Sequence, residues 1–316
     1  MKNYLRSEIK YGIYSKLYIK VITLFCILIC ASQFLAYAAT IDMNSNYNRK
    51  VKSYDGDLEA MYKDIEAEYS IDISDDGMSG AIKNPIAYYK SELDRFVNYI
   101  HPQNAFTQVQ EITSVISMLV FSVFGALYVA KDDKYRIKKL KTIRMGKFTY
   151  IKYKQISMIV SAFIIMIAGF IFGIVSNIVY YSIIKTKVDM SIIEIEKPSI
   201  DIKMEIVRIL IVVLVMLIFL ELGAFLATIF KSSTMSVCIM CAYLFVLQIN
   251  VKYGLSQCVQ FLYGKFFDMN GIITVKLAYD NYNMGIILAI LLSVLAVSVI
   301  GSMFIENKRS AFEATN

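Results

Sequence analysis

With 316 residues, 57% of them hydrophobic, and a mean hydropathy of +0.53, the chain is too apolar to keep a polar surface toward water, so its solvent is mostly lipid. A single histidine (His101), no tryptophan and five cysteines scattered through apolar runs leave little from which to build a metal centre, a histidine acid/base site or a disulfide framework. The net charge of +7 is unevenly placed, and its distribution carries the topology.

In chain order, residues 1–20 read as a cytosolic amphipathic elbow helix. Leu5, Ile9, Ile13 and Leu17 recur every fourth residue, Arg6, Lys10 and Lys16 lie between them, and Tyr4, Tyr11, Tyr14 and Tyr18 add interfacial anchors. Apolar runs long enough to cross about 30 Å of hydrocarbon follow at 21–39, 112–130, 156–184, 209–230, 233–250 and 285–304. Residues 41–110 form an acidic outer segment that is too patterned for a linker. Leu58, Met61, Tyr62, Ile65 and Tyr69 share one helical face, and Tyr89, Leu93, Phe96, Val97 and Ile100 share another, which predicts a helical hairpin broken at Asp75-Asp76-Gly77 and Asn84-Pro85. Lys231 and Ser232 make a tight connection between the fourth and fifth spans. Residues 251–284 are too apolar for a free loop and too short for two spans, so a half-buried, partly re-entrant segment is expected there, followed by a tail at 305–316. The fold class expected is an all-α membrane protein with six transmembrane helices, an N-terminal elbow and a helical extracellular hairpin between the first two spans.

With a cytosolic N-terminus the inner segments hold 18 Lys or Arg against 5 Asp or Glu, and the outer segments 15 against 20, which places both termini inside. Lys16, Lys20, the apolar run after them and Ala36-Tyr37-Ala38 imitate a secretory signal, but the basic stretch is long for one, and the run is read as the first span. Cys238 and Cys241 form a C-x-x-C inside an apolar run and read as small packing residues. Gly169 and Gly173 form a G-x-x-x-G that allows close helix approach, read as packing within the chain ahead of a dimer interface.

Two features stand out as functional candidates. Residues 131–155 carry ten Lys or Arg and two Asp, interrupted by Ile137, Leu140, Ile143, Met145, Phe148 and Ile151, with Gly146 as a stop. That pattern suits a short amphipathic helix docking into a cytosolic partner, with a solvated basic loop drawn to anionic lipid as the plainer alternative. Glu221 is the one ionisable residue deep in a span: either a translocation-path or gating residue, or a neutral acid bonded to a neighbouring helix. No G-x-x-x-x-G-K-[ST] occurs, so the chain has no P-loop of its own.

The order of these parts, with Asp132 or Asp133, Arg136 to Leu140, Gly146, Tyr150-Ile151 and Lys154 after the second span, resembles the permease subunits of ABC type 2 exporters. Gly146 stands where that family commonly has proline. The resemblance implies that Arg136, Ile137, Leu140, Ile143, Arg144, Met145 and Gly146 belong to a coupling segment seated on a separate ABC ATPase subunit. It also implies two permeases with two ATPases, ATP and Mg held by the partner and no cofactor in this chain, which would be a transport subunit and no enzyme. In overall character the chain looks most like exporters of antimicrobial peptides and phenol-soluble modulins in Gram-positive bacteria. That implies a multi-pass protein of the bacterial plasma membrane moving amphipathic peptides, with no nucleic-acid partner. A lipid or drug exporter permease, or a membrane sensor with an extracellular helical ligand domain, are the alternatives.

Overall fold

The computed structural model describes residues 2–73, 80–134, 138–195, 201–246, 251–267 and 281–308. Among them the chain forms α1 (Lys2–Tyr14), α2 (Leu17–Lys52), α3 (Leu58–Glu66), β1 (Ser70–Ile73), β2 (Gly80–Lys83), α4 (Pro85–Ile100), α5 (Ala105–Lys134), α6 (Lys138–Met145), α7 (Lys147–Ile184), α8 (Ile202–Phe230), α9 (Ser233–Cys241), α10 (Leu255–Phe266) and α11 (Met284–Lys308). The all-α class expected from the sequence holds, with one small ribbon as the exception.

Among the described residues five helices, α2, α5, α7, α8 and α11, are long and apolar enough to cross a membrane, where the sequence suggested six spans. The difference lies at 233–250. Within the described residues the apolar helix there covers Ser233 to Phe245, with π-type turns over Ala242–Val246, which is roughly 20 Å at about 1.5 Å per residue. Residues 247–250 lie outside the described residues.

Lys16 adopts a left-handed conformation (φ 58°) that ends α1 and starts α2 in a new direction. From there α2 continues unbroken for 36 residues, roughly 54 Å, so its last turns carry Asp42 to Lys52 well beyond the apolar run ending at Ala39. The outer hairpin is therefore not purely helical. Past α2 come α3, the antiparallel ribbon β1–β2, with Ile71 opposite Ile82, and then α4. Ser-Ile-Asp-Ile alternates with period two, a pattern too short to show beside the longer helical repeats, and Gly-Ala-Ile-Lys shows no alternation at all. The expected break at Asp75-Asp76-Gly77 lies outside the described residues, whereas Asn84-Pro85 does start α4, with Asn84 left-handed and Pro85 at the first helical position.

The α4 face read from the sequence is the buried one. Leu93, Val97 and Ile100 pack with Ala36 and Tyr47 of α2, Met61 of α3 and Ile184 of α7, each contributing about 1.5–3 kcal/mol by leaving water, and Phe96 is buried as well. The α3 face is only partly used, since Met61 is buried while Leu58 and Tyr62 are exposed. The Asn84 side chain ties this module together by donating to the carbonyls of Asp64 (2.6 Å) and Ala67 (3.2 Å).

Helix α5 runs through the middle of the bundle against α8. A Cβ on Gly125 would sit 2.1 Å from the Leu220 carbonyl oxygen, and one on Gly223 would sit 2.0 Å from that of Ser122, so the two backbones touch. A Cβ on Gly169 would meet Phe25 of α2, and one on Gly173 would meet Val109 of α5 and Ile29 of α2, so the G-x-x-x-G lets α7 approach both helices closely. Because α5 begins at Ala105, residues Gln108, Gln110 and Glu111, which the sequence reading left in the outer segment, are buried in the bundle. Helix α10, inside the segment expected to be half-buried, packs Cys258, Val259 and Leu262 inward, and its Tyr263 hydroxyl donates to the Ser114 carbonyl at 2.6 Å. Residues 268–280 of that segment lie outside the described residues.

Candidate functional site

Of the basic segment between α5 and α7, residues 135–137 lie outside the described residues, and Arg136 and Ile137 with them. The rest forms α6, which stops at Gly146. There φ is +77°, a conformation open to glycine and costly for side-chain-bearing residues, and the Gly146 N–H closes α6 by donating to the Thr142 carbonyl at 2.9 Å.

The orientation of α6 is inverted relative to an ordinary surface helix. Lys138, Lys141 and Thr142 turn inward, the lysine side chains only 15% and 19% exposed, while Leu140 and Ile143 turn outward, 68% and 71% exposed, with Arg144 exposed beside them. Phe148, on the first turn of α7, is exposed as well. An outward apolar pair on a helix that turns Lys138 and Lys141 inward, with only Lys139 left exposed among its lysines, is unfavourable in water and needs something inside to hold it.

What holds it is a chain of alternating charges. Glu8 of α1, only 1% exposed, accepts from Lys131 of α5 (2.9 Å) and from Lys141 of α6, and Lys141 also donates to Asp132 of α5 (2.9 Å). The Tyr150 hydroxyl of α7 donates to the other Asp132 oxygen at 2.6 Å. Beside it, Lys154 of α7 pairs with Glu306 of α11 (2.8 Å) and donates to the Val129 carbonyl, while Lys138 of α6 approaches Glu306 at 3.6 Å. Lys131 also lies 3.5 Å from the centre of the Tyr128 ring. Any one of these ions buried alone would cost several kcal/mol, so the cluster is stable only as a set. It ties α1, α5, α6, α7 and α11 together at one end of the bundle. Of its members, Asp132, Tyr150 and Lys154 stood in the motif outline read from the sequence, while Glu8 and Glu306 did not. Their sequence signal is faint: Glu8 is the one acid in its basic segment and stands at helical spacing from Tyr4 and Tyr11.

Glu221 lies apart from this cluster, 1% exposed on α8. Gln155 of α7 donates to its Oε2, and Oε1 is buried without a hydrogen-bond partner. A charged carboxylate in that position would cost about 2.5–3.5 kcal/mol or more in hydrocarbon, which favours the neutral acid. Nearer the outer module, a cavity of about 200 Å³ opens between α5, α7 and α8 under the edge-on ring pair Phe106–Phe170, and the buried Gln110 and Thr113 beside it keep side-chain polar atoms without partners. Among the described residues no group of three or more His, Cys, Asp or Glu is placed to hold a metal ion.

No family model matches the chain, and no curated protein or solved structure matches it either.

Proposed function

We propose that the chain is the membrane-spanning subunit of an ATP-driven ABC exporter whose ATPase is a separate polypeptide, and that its cargo is amphipathic peptide. The observation that carries this reading is the inverted α6: Leu140 and Ile143 face out while Lys138 and Lys141 are locked to Glu306, Glu8 and Asp132. A helix held in that way is a preformed apolar knob, suited to a groove on a cytosolic partner. In this reading Arg136, Ile137, Arg144 and Met145 complete the contact and Gly146 sets its exit angle. α1 is the elbow, both termini are cytosolic, and α9 with the segment after it completes a sixth crossing. Two copies assemble with two ATPases in a bacterial plasma membrane.

The test is to purify the tagged chain from native membranes in mild detergent and assay the eluate for ATP hydrolysis. The expected result is a P-loop subunit with ATPase activity stimulated by amphipathic peptides, lost in Leu140→Asp/Ile143→Asp. A chain that carries no ATPase, or one whose stimulated activity survives that double substitution, would overturn the reading. Reversing Lys138 is a poor version of this experiment, because it also breaks the contact with Glu306. The sensor alternative draws on one observation, the outer module packed into a single core with the ends of α2 and α7; it predicts ligand binding without hydrolysis. A lipid or drug exporter would share the α6 result and differ in the stimulating compound.

A further inference from the structure

The segment from Asp55 to Asp72 holds seven acidic residues and one lysine in a chain whose net charge is +7. Repulsion among like charges would normally be relieved by surrounding them with solvated polar residues. Here, however, the same surface displays apolar side chains. On α3, Leu58 and Tyr62 stand one turn apart at 60% and 59% exposed, and Glu66 continues their row with Glu59 beside it. The α3 C-terminus, where the helix dipole adds partial negative charge, leads into Glu68 and Tyr69. Tyr69 is held in place by an edge-on contact with Tyr88 at 5.5 Å and remains 39% exposed.

This surface lies beyond the apolar part of α2, next to the polar turns Asp42–Lys52, so hydrocarbon does not explain its exposed leucine and tyrosine. The module's own core does not use them either: it is built from Met61 and the inward face of α4. An exposed apolar row flanked by Glu59, Glu66 and Glu68, with Lys63 the one basic side chain among them, is a complement for one kind of partner, a helix with an apolar face and flanking lysines or arginines.

We propose that the outer face of α3, formed by Leu58, Glu59, Tyr62 and Glu66 with Glu68 and Tyr69, is a docking surface for a cationic amphipathic peptide. The apolar row buries the peptide's apolar face, and the carboxylates pair with its basic flanks. The inference deepens the peptide-exporter reading, and it rests on that reading only for the direction in which a bound peptide travels.

The test uses the full chain in nanodiscs of zwitterionic lipid without any ATPase, so that failure here leaves the exporter reading intact. A fluorescein-labelled 20-residue Lys/Leu/Phe helical peptide is titrated at low salt, with empty nanodiscs as the lipid control. The expected result is saturable binding that weakens about tenfold in Glu59→Gln/Glu66→Gln/Glu68→Gln, with loss of most of its salt dependence. Leu58→Ser/Tyr62→Ser should weaken binding at least about fivefold with salt dependence kept. All five side chains are exposed, so these variants should fold as the parent does. Absence of saturable binding, binding equal to empty nanodiscs, or parental affinity in both variants would overturn the proposal.

Discussion

Glu8 is the residue whose removal should be felt furthest. Only 1% of it is exposed, and its carboxylate faces both Lys131, whose side chain is 4% exposed, and Lys141. Glu8→Gln keeps the shape and an acceptor oxygen but removes the charge, so Lys131 is left with the Tyr128 and Tyr11 rings and more distant carboxylates and no directly paired anion, while Lys141 retains Asp132 at 2.9 Å. Removing one partner of a buried pair costs about 3–5 kcal/mol, whereas removing both is often close to neutral. At on the order of 2 °C per kcal/mol for a chain of this size, Glu8→Gln should lower the melting temperature by about 6–10 °C. Lys131→Met should cost less because Glu8 keeps Lys141, and the double variant should recover at least half of the Glu8→Gln loss. All five cysteines are free and Cys258 is buried, so unfolding in detergent can be followed with a thiol-reactive dye. If the double variant loses as much as the two singles together, Glu8 and Lys131 are not coupled, and the argument that charge pairing fixes α6 fails.

Three further outcomes are expected. Gly223→Ala or Gly125→Ala would place a Cβ 2.0–2.1 Å from a facing backbone oxygen and must push α5 and α8 apart, so each should destabilise by about 1–3 kcal/mol or more, read as a lower melting temperature in the same dye assay. An unchanged melting temperature would mean that the helices do not meet there. Glu221→Gln retains a side chain able to bond Gln155 and should leave the melting temperature within about 2 °C, in keeping with a neutral acid, while lowering peptide-stimulated turnover; unchanged turnover would reduce Glu221 to a packing role. His101 titrates below its usual 6.5, first because it is partly buried and second because Lys185 is near. The folded state therefore binds fewer protons than the unfolded one between those two pKa values. Its contribution is present above pH 6.5 and is lost as pH falls through the lowered value. Amide exchange around Asn98–Asn104, where the imidazole Nδ1 accepts from the Gln103 N–H, should accelerate at pH 5.5 relative to pH 7.5 after correction for intrinsic rates, and His101→Gln should remove that difference.

Composition and periodicity were enough to read the bundle because lipid-facing helices need long apolar runs, and those runs are visible in one dimension. The spans at 112–130, 156–184, 209–230 and 285–304 fall inside α5, α7, α8 and α11. Ends were harder. The sequence reading stopped the first span at Ala39 because polarity rises there, yet a helix can leave the membrane without ending, and α2 does so. It started the second span at Ile112 for the same reason, and so set Gln108, Gln110 and Glu111 outside when all three are buried: Asn177 donates to Gln108, Glu111 meets Tyr99, and Gln110 lines the cavity under Phe106. The basic segment was legible as an interrupted amphipathic helix, but its facing was not. Spacing puts Leu140 and Ile143 on one side without saying which side is in, and that depends on Glu8 and Glu306, which are 132 and more residues away from Leu140 in one direction or the other.

The two tightest features of the bundle together decide what could move as a unit. α6 is ion-paired to α1, α5 and α11, and α7 joins through Tyr150 and Lys154, so a displacement applied at Leu140 and Ile143 is carried by these contacts into four other helices. From α5 the displacement passes to α8 through the Gly125–Gly223 seam, where side chains that could shear past one another are missing. Glu221 lies two residues from that seam and is bonded to α7 through Gln155, so it spans the joint between α7 and α8. If α6 acts as a lever, Glu221 sits where relative motion of α7 and α8 would break or make its one hydrogen bond. A cross-link from Gln155→Cys to Glu221→Cys should therefore block peptide-stimulated turnover while leaving the ATPase bound to α6, and full turnover in the cross-linked protein would rule out motion at that joint.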